Sequence, residues 1–108
     1  MPTFEWAATL EFDRFDWDSG NRDKCQKHGM TMAAIESIFA GPVVILPYKE
    51  NPSGERRYRA IGTTAEGRRA FVVFTVREHD NAKRLRPISA RFMHRKEVHA
   101  YEKAYPNV

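Results

Sequence analysis

The run Phe71-Val72-Val73-Phe74 is the feature that most constrains how this chain can fold. Four consecutive apolar residues, two of them β-branched, favour a strand that is buried inside a sheet. Such a strand needs neighbours on both sides, because its buried backbone N–H and C=O groups must pair. The pattern therefore predicts a sheet with residues 69–77 at its centre.

Three further segments have strand character and can supply those neighbours: residues 43–46, 55–63 and 83–90. Turn residues separate them, among them Glu66-Gly67, so consecutive strands are expected to pair as hairpins. Pro87 has no N–H to donate, which predicts that the last strand lies at an edge or carries a bulge. Together these segments predict a mainly antiparallel sheet of four strands.

Helix signals flank the sheet. Asp18 is a good N-cap for a helix that ends near residue 27, with Gly29 as its left-handed stop. Thr31 is the predicted N-cap of a second helix, which has an apolar stripe. The pattern of residues 94–105 predicts a third helix. The predicted fold is α+β, with two N-terminal helices, the four-stranded sheet and a C-terminal helix. Residues 1–14 alternate between apolar and polar and predict a strand-forming extension, ahead of one domain over residues 15–108.

Composition limits the class of protein. A chain of 108 residues is one domain with a single modest core. Its only cysteine, Cys25, excludes an internal disulfide and a multi-cysteine metal site. No apolar run approaches the roughly 20 residues that cross a bilayer, and the N-terminus has no signal-peptide pattern. We therefore expect a cytoplasmic protein without a membrane partner.

The net charge of +4 is unevenly distributed. Residues 1–23 carry two arginines against six acids, a net of −4, so residues 24–108 carry a net of +8. The basic part of the chain suits a polyanion such as RNA or an acidic protein partner, and the charge alone does not choose between them.

Basic residues concentrate around the predicted start of the last helix. Arg86 and Arg91 flank a short apolar run, and His94, Arg95 and Lys96 follow. Cations at a helix N-terminus oppose the macrodipole, so local stability does not explain them. With the free N–H groups they predict a site for a phosphate-like anion. The alternative is a solvated basic face.

The candidate catalytic residues are cations and histidines. Histidine exchanges protons near neutral pH, so His28 and His94 are candidate acids or bases, with Lys27 as a substitute for His28. Arginine holds two phosphate oxygens at once, which suits Arg77 and Arg91 to a developing phosphorane charge. His94 and His99 are too far apart around a helix to share a metal, and no cofactor or metal is expected. Further RNA contacts are predicted at Arg56, Arg57, Arg86, Arg95 and Lys96.

An ordered set of short motifs resembles the BrnT family of ribonuclease toxins from type II toxin–antitoxin modules. The set comprises Phe15-Asp-Trp-Asp18, Lys27-His-Gly29, Glu55-Arg56, Ala60-Ile-Gly62, Gly67-Arg68, Arg77, Ile88-Ser-Ala-Arg91, Glu97 and Tyr101. Each motif is short, but their order over residues 15–103 is specific. Asn21 and Cys25 depart from the lysine and asparagine that are common in the family.

The resemblance implies a RelE-type microbial ribonuclease fold and a cognate ribbon-helix-helix antitoxin of the BrnA class, bound as a hetero-oligomer. The function expected is a metal-independent endoribonuclease toxin that cleaves RNA and inhibits growth until the antitoxin binds it. Two alternatives remain: a non-catalytic basic domain that binds nucleic acid, and a protein-interaction module whose basic face docks an acidic partner.

Overall fold

The computed structural model describes residues 7–8, 10–49 and 52–104. Along the chain the elements are β1 (Ala7–Ala8), β2 (Arg14–Phe15), α1 (Ser19–Gln26), α2 (Met32–Ile38), β3 (Val43–Tyr48), β4 (Arg57–Thr63), β5 (Arg69–His79), β6 (Ala82–Phe92) and α3 (Arg95–Ala104). The predicted α+β class is confirmed. No helix in the described part of the chain combines the length and the apolarity that a membrane span requires.

The sheet has the order β1-β3-β4-β5-β6-β2. The four long strands are the four that were predicted, and β5 lies between β4 and β6, as its apolar sequence requires. The expectation of a four-stranded sheet was incomplete, because two-residue strands extend it at both edges. β1 pairs antiparallel with β3, and β2 pairs parallel with β6.

Those short strands come from the segment predicted as an extended N-terminal strand. Only Ala7–Ala8 and Arg14 of that segment lie in strands within the described residues, while residues 1–6 and 9 lie outside them. Leu10 and Phe12 pack against the main core, and the Phe12 ring lies 4.8 Å from that of Phe15. The segment therefore contributes apolar contacts as well as edge pairing.

β6 carries the irregularity that Pro87 predicts. Val73 pairs with Ser89 but the next residue, Phe74, pairs with Pro87, so Ile88 is an extra residue in β6. A bulge interrupts the hydrogen bonds between the two strands, so a proline, which has no N–H to donate, is tolerated there. The Pro87 carbonyl accepts a hydrogen bond from Nδ2 of Asn21 at 2.9 Å, which fastens α1 beside β6.

The predicted helix caps are confirmed. Asp18 and Asn21 form a reciprocal capping box at α1, and Thr31 accepts a hydrogen bond from the backbone N–H of Ala34. Gly29 has φ +91°, the left-handed conformation that ends a helix. α3 begins at Arg95, one residue after the predicted start, and Tyr105 lies outside the described residues.

The two faces of the sheet are covered unequally. α1 and α2 lie on one face over the main core, which includes Ile35, Val72 and Phe74. On the other face, Val98 and Tyr101 of α3 pack on a small cluster with Val44, Ile61 and Met93. Because these positions lie toward one end of the strands, the rest of that face remains open. Arg57, Arg59 and Arg77 lie on it, since they alternate with main-core residues of β4 and β5.

Candidate functional site

A concave site of about 280 Å³ occupies the open face of the sheet. We name it the central cavity; β3, β4, β5, β6 and the loop between α1 and α2 line it. Its principal side chains are His28, Tyr48, Arg59, Phe71, Ser89 and Arg91. Two of the predicted catalytic residues, His28 and Arg91, are thus brought together from distant parts of the sequence.

The Phe71 ring anchors two cations in the central cavity. The guanidinium carbon of Arg59 lies 4.8 Å from the ring centroid, and that of Arg91 lies 4.7 Å from it. Such contacts hold a guanidinium against an aromatic face without neutralising its charge. Arg59 forms no ion pair with any residue that the structure describes.

Sequence reasoning missed Arg59, although a signal was present. Arg57, Arg59 and Ile61 alternate along β4 and therefore share one face of the sheet. The sequence prediction named the adjacent residues Arg56 and Arg57 as RNA contacts, although adjacent residues of a strand lie on opposite faces. Arg56 precedes the strand and is exposed, and its carbonyl accepts a hydrogen bond from the Thr75 hydroxyl at 2.7 Å.

The anion predicted at the start of α3 is the chain's own carboxylate. Both Nη atoms of Arg91 donate to the Glu97 carboxylate at 2.8 Å, and the backbone N–H of His94 donates to the same group at 2.8 Å. The Arg91 hydrogen bonds, followed by the one from His94, lower the pKa of Glu97 to about 2. Glu97 therefore stays ionised and holds Arg91 against α3.

This ion pair leaves part of Arg91 available. Nη1 and Nη2 bind Glu97, and Nη1 also donates to the Phe92 carbonyl at 3.3 Å. Nε has no hydrogen-bond acceptor among residues 10–49 and 52–104, so the Nε–Nη2 edge can still contact a ligand. A guanidinium has five donors in a fixed fork, which allows one edge to be held and another to bind.

A second concave site of about 240 Å³ lies beside the first, and we name it the side cavity. Its cations are Lys24, Arg57, Arg77 and Arg86. Arg77 donates to Glu55 at 2.9 Å, and Nη1 of Arg86 lies 3.0 Å from Asp18 and 3.6 Å from Asp16. These arginines lower the pKa of Glu55 and of Asp18, each mainly through a hydrogen bond.

The remaining predicted residues are exposed and are not part of the cavity linings. Lys27 is the exposed C-cap residue of α1, and His94, Arg95 and Lys96 are exposed at the start of α3. None of these four lines either cavity. Within the described ranges, no group of three His, Cys, Asp or Glu side chains is arranged to hold a metal ion.

The fold and these cavities define a small basic α+β domain in which arginines and a histidine line concave sites. Residues 17–97 match the family model described as "Ribonuclease toxin, BrnT, of type II toxin-antitoxin system". The chain belongs to this BrnT family, and it is a ribonuclease toxin of a type II toxin–antitoxin system. No individually curated protein matched the chain.

Proposed function

We propose that the central cavity is the active site and that it cleaves RNA without a metal ion. The observation that carries this proposal is the convergence of His28, Arg59 and Arg91 on one cavity beside the exposed ring of Tyr48. Guanidinium groups attract a phosphate and repel a metal cation. Tyr48 offers a face on which an unpaired base can stack.

The reaction is an internal phosphoryl transfer. A base removes the proton of the 2′-hydroxyl, the 2′-oxygen forms a bond to phosphorus, and the bond from phosphorus to the 5′-oxygen breaks. The 5′-oxygen then takes up a proton, so the products are a 2′,3′-cyclic phosphate and a 5′-hydroxyl. His28 exchanges one of these protons, while Arg59 and Arg91 stabilise the additional charge on the phosphorane.

The finer features of the family resemblance belong to the same proposal. We assign the fold to the RelE-type ribonucleases, the site of action to the bacterial cytoplasm and the antitoxin to the BrnA-like ribbon-helix-helix class. The net charge of +8 over residues 24–108 supports both an RNA substrate and an acidic contact surface on the antitoxin.

The test is cleavage of single-stranded RNA by the purified protein in excess EDTA, with the ends of the products identified. Cleavage to 2′,3′-cyclic phosphates, or to the 3′-phosphates derived from them, is expected. His28→Ala should reduce the rate by roughly 10²–10⁴-fold, the usual contribution of one acid–base group. His79→Ala is the matched control, because His79 is exposed at the end of β5 and lines neither the central nor the side cavity.

Three results would contradict the proposal. A strict need for added Mg²⁺ or Mn²⁺ would exclude the metal-free mechanism. Equal rates for His28→Ala and His79→Ala would remove His28 from the reaction. An RNA gel shift without cleavage would indicate a non-catalytic nucleic-acid-binding domain instead.

A further inference from the structure

The side cavity adjoins the central cavity along β4. Arg59 lines the central cavity and Arg57 lines the side cavity. The two residues are separated by one position in the strand, so their side chains leave the same face of the sheet about 7 Å apart. This separation is comparable to that of neighbouring phosphates along an extended polynucleotide strand.

The cations of the side cavity are only partly neutralised. Arg77 is paired with Glu55, and Arg86 is paired with Asp16 and Asp18. Lys24 and Arg57 form no ion pair within the described part of the chain. The side cavity therefore contains two cations held by ion pairs and two that form none, and its lining has four cations against the one carboxylate of Glu55.

Arg57 also has an unmet hydrogen-bonding requirement. Its Nε atom is buried and has no hydrogen-bond partner among the described residues. Buried donors are nearly always paired in folded proteins, and leaving a donor of a charged group unpaired is unfavourable. An anion in the side cavity would add a direct counter-charge for this guanidinium, which forms no ion pair with any described residue.

We propose that the side cavity is a second phosphate subsite, which binds the phosphate adjacent to the one that is cleaved in the central cavity. This inference rests on the proposed function, because it takes the RNA strand to cross both cavities. A compact tetrahedral anion suits a concave site of about 240 Å³ that is lined by arginine forks. The ion pairs to Glu55 and Asp18 hold Arg77 and Arg86 in place, while Arg57 and Lys24 supply positive charge that no ion pair takes up.

The first experiment measures the affinity for an RNA tetramer with 2′-O-methyl groups, which cannot be cleaved, over a range of salt concentrations. For a single strand, each phosphate contact contributes about 0.7 to the slope of log affinity against log salt. Arg57→Ala should lower that slope by about 0.7. Arg22→Ala removes the same charge from an exposed position on α1 that lines neither cavity, and it should leave the slope unchanged.

The second experiment compares cleavage of a dinucleotide, which has one phosphodiester, with cleavage of a trinucleotide, which has two. Arg57→Ala should lower kcat/KM for the trinucleotide several-fold and leave that for the dinucleotide unchanged. Arg59→Ala should lower both, because Arg59 contacts the scissile phosphate. If Arg57→Ala does not fold, Arg57→Gln takes its place, since it retains most of the side-chain volume without the charge.

An unchanged salt slope in Arg57→Ala, or equal losses on both substrates, would overturn the second subsite. A loss of antitoxin affinity with an unchanged salt slope would overturn it as well, and would assign the side cavity to an acidic protein surface. Failure of the proposed function would give a different result. In that case Arg59→Ala and His28→Ala would cleave the dinucleotide at the wild-type rate.

Discussion

Replacing Arg91 tests the active site most directly. Arg91→Ala removes a guanidinium that Glu97 and the Phe71 ring hold at the wall of the central cavity. If its free edge stabilises the phosphorane, the rate of RNA cleavage should fall by roughly 10²–10³-fold, as when one preorganised donor is lost. Arg91→Lys should restore little, because an ammonium cannot bind Glu97 through two donors and still present a second edge.

The same substitution has a calculable effect on stability. An exposed ion pair contributes roughly 0.2–1 kcal/mol. A cation–π contact at the surface contributes about 0.5–1 kcal/mol more. The side chain of Arg91 is 39% exposed, so these surface values apply to it. Arg91→Ala should therefore lower the free energy of unfolding by about 1–2 kcal/mol, which urea denaturation can measure.

Lys103→Ala is the control, because Lys103 is exposed in the last turn of α3, where a cation suits the helix dipole. That variant should cleave RNA at nearly the wild-type rate. If Arg91→Ala and Lys103→Ala are both folded and cleave equally well, Arg91 is not part of the active site. A 10²-fold loss in Arg91→Ala under conditions where the protein is fully folded separates catalysis from stability.

Three further outcomes are expected. Folding lowers the pKa of Glu97 to about 2. Its contribution to stability is therefore complete above its unfolded pKa of roughly 4.3 and is lost as the pH falls toward about 2. The free energies of urea unfolding of wild type and Glu97→Gln should differ at pH 7 and converge near pH 2. Asn21→Ala leaves the Pro87 carbonyl without its side-chain donor and should cost roughly 1–3 kcal/mol in the same assay, whereas the exposed Gln26→Ala should cost less. Burial raises the pKa of the Cys25 thiol to about 11. A thiol reagent at roughly pH 7.5 should therefore label the native protein slowly and the urea-unfolded protein rapidly. Fast labelling of the native protein would contradict this burial.

Local signals accounted for most of the fold. Asp18, Gly29 and Thr31 act through contacts within a few residues, so the helix boundaries follow from the sequence. Pro87 predicted an edge position or a bulge because a missing N–H cannot take part in a ladder, and β6 has the bulge. The pairing of Ala7–Ala8 with β3 and of Arg14–Phe15 with β6 depends on contacts between distant segments, and no local pattern encodes them.

The site was less predictable, because it forms where separate segments meet. His28 and Arg91 were identified by residue type, but only the fold brings both of them to one cavity. Arg59 was not predicted, because its place in the cavity depends on the neighbouring ring of Phe71, which belongs to the next strand. Strand alternation predicts the face on which Arg59 lies, and the pairing of β4 with β5 then determines which aromatic ring it contacts.

At the start of α3, a carboxylate of the chain itself binds where the sequence predicts an anion. Free N–H groups and cations at a helix N-terminus do require a negative charge. Glu97 lies three residues after His94, the spacing at which a side chain caps the first turn, and it supplies that charge from within the chain. Glu97 binds Nη1 and Nη2 of Arg91, so the ion pair orients the guanidinium without using all of its N–H donors. An arginine oriented in this way loses little entropy when a phosphate binds, which is the property that a preorganised catalytic cation requires.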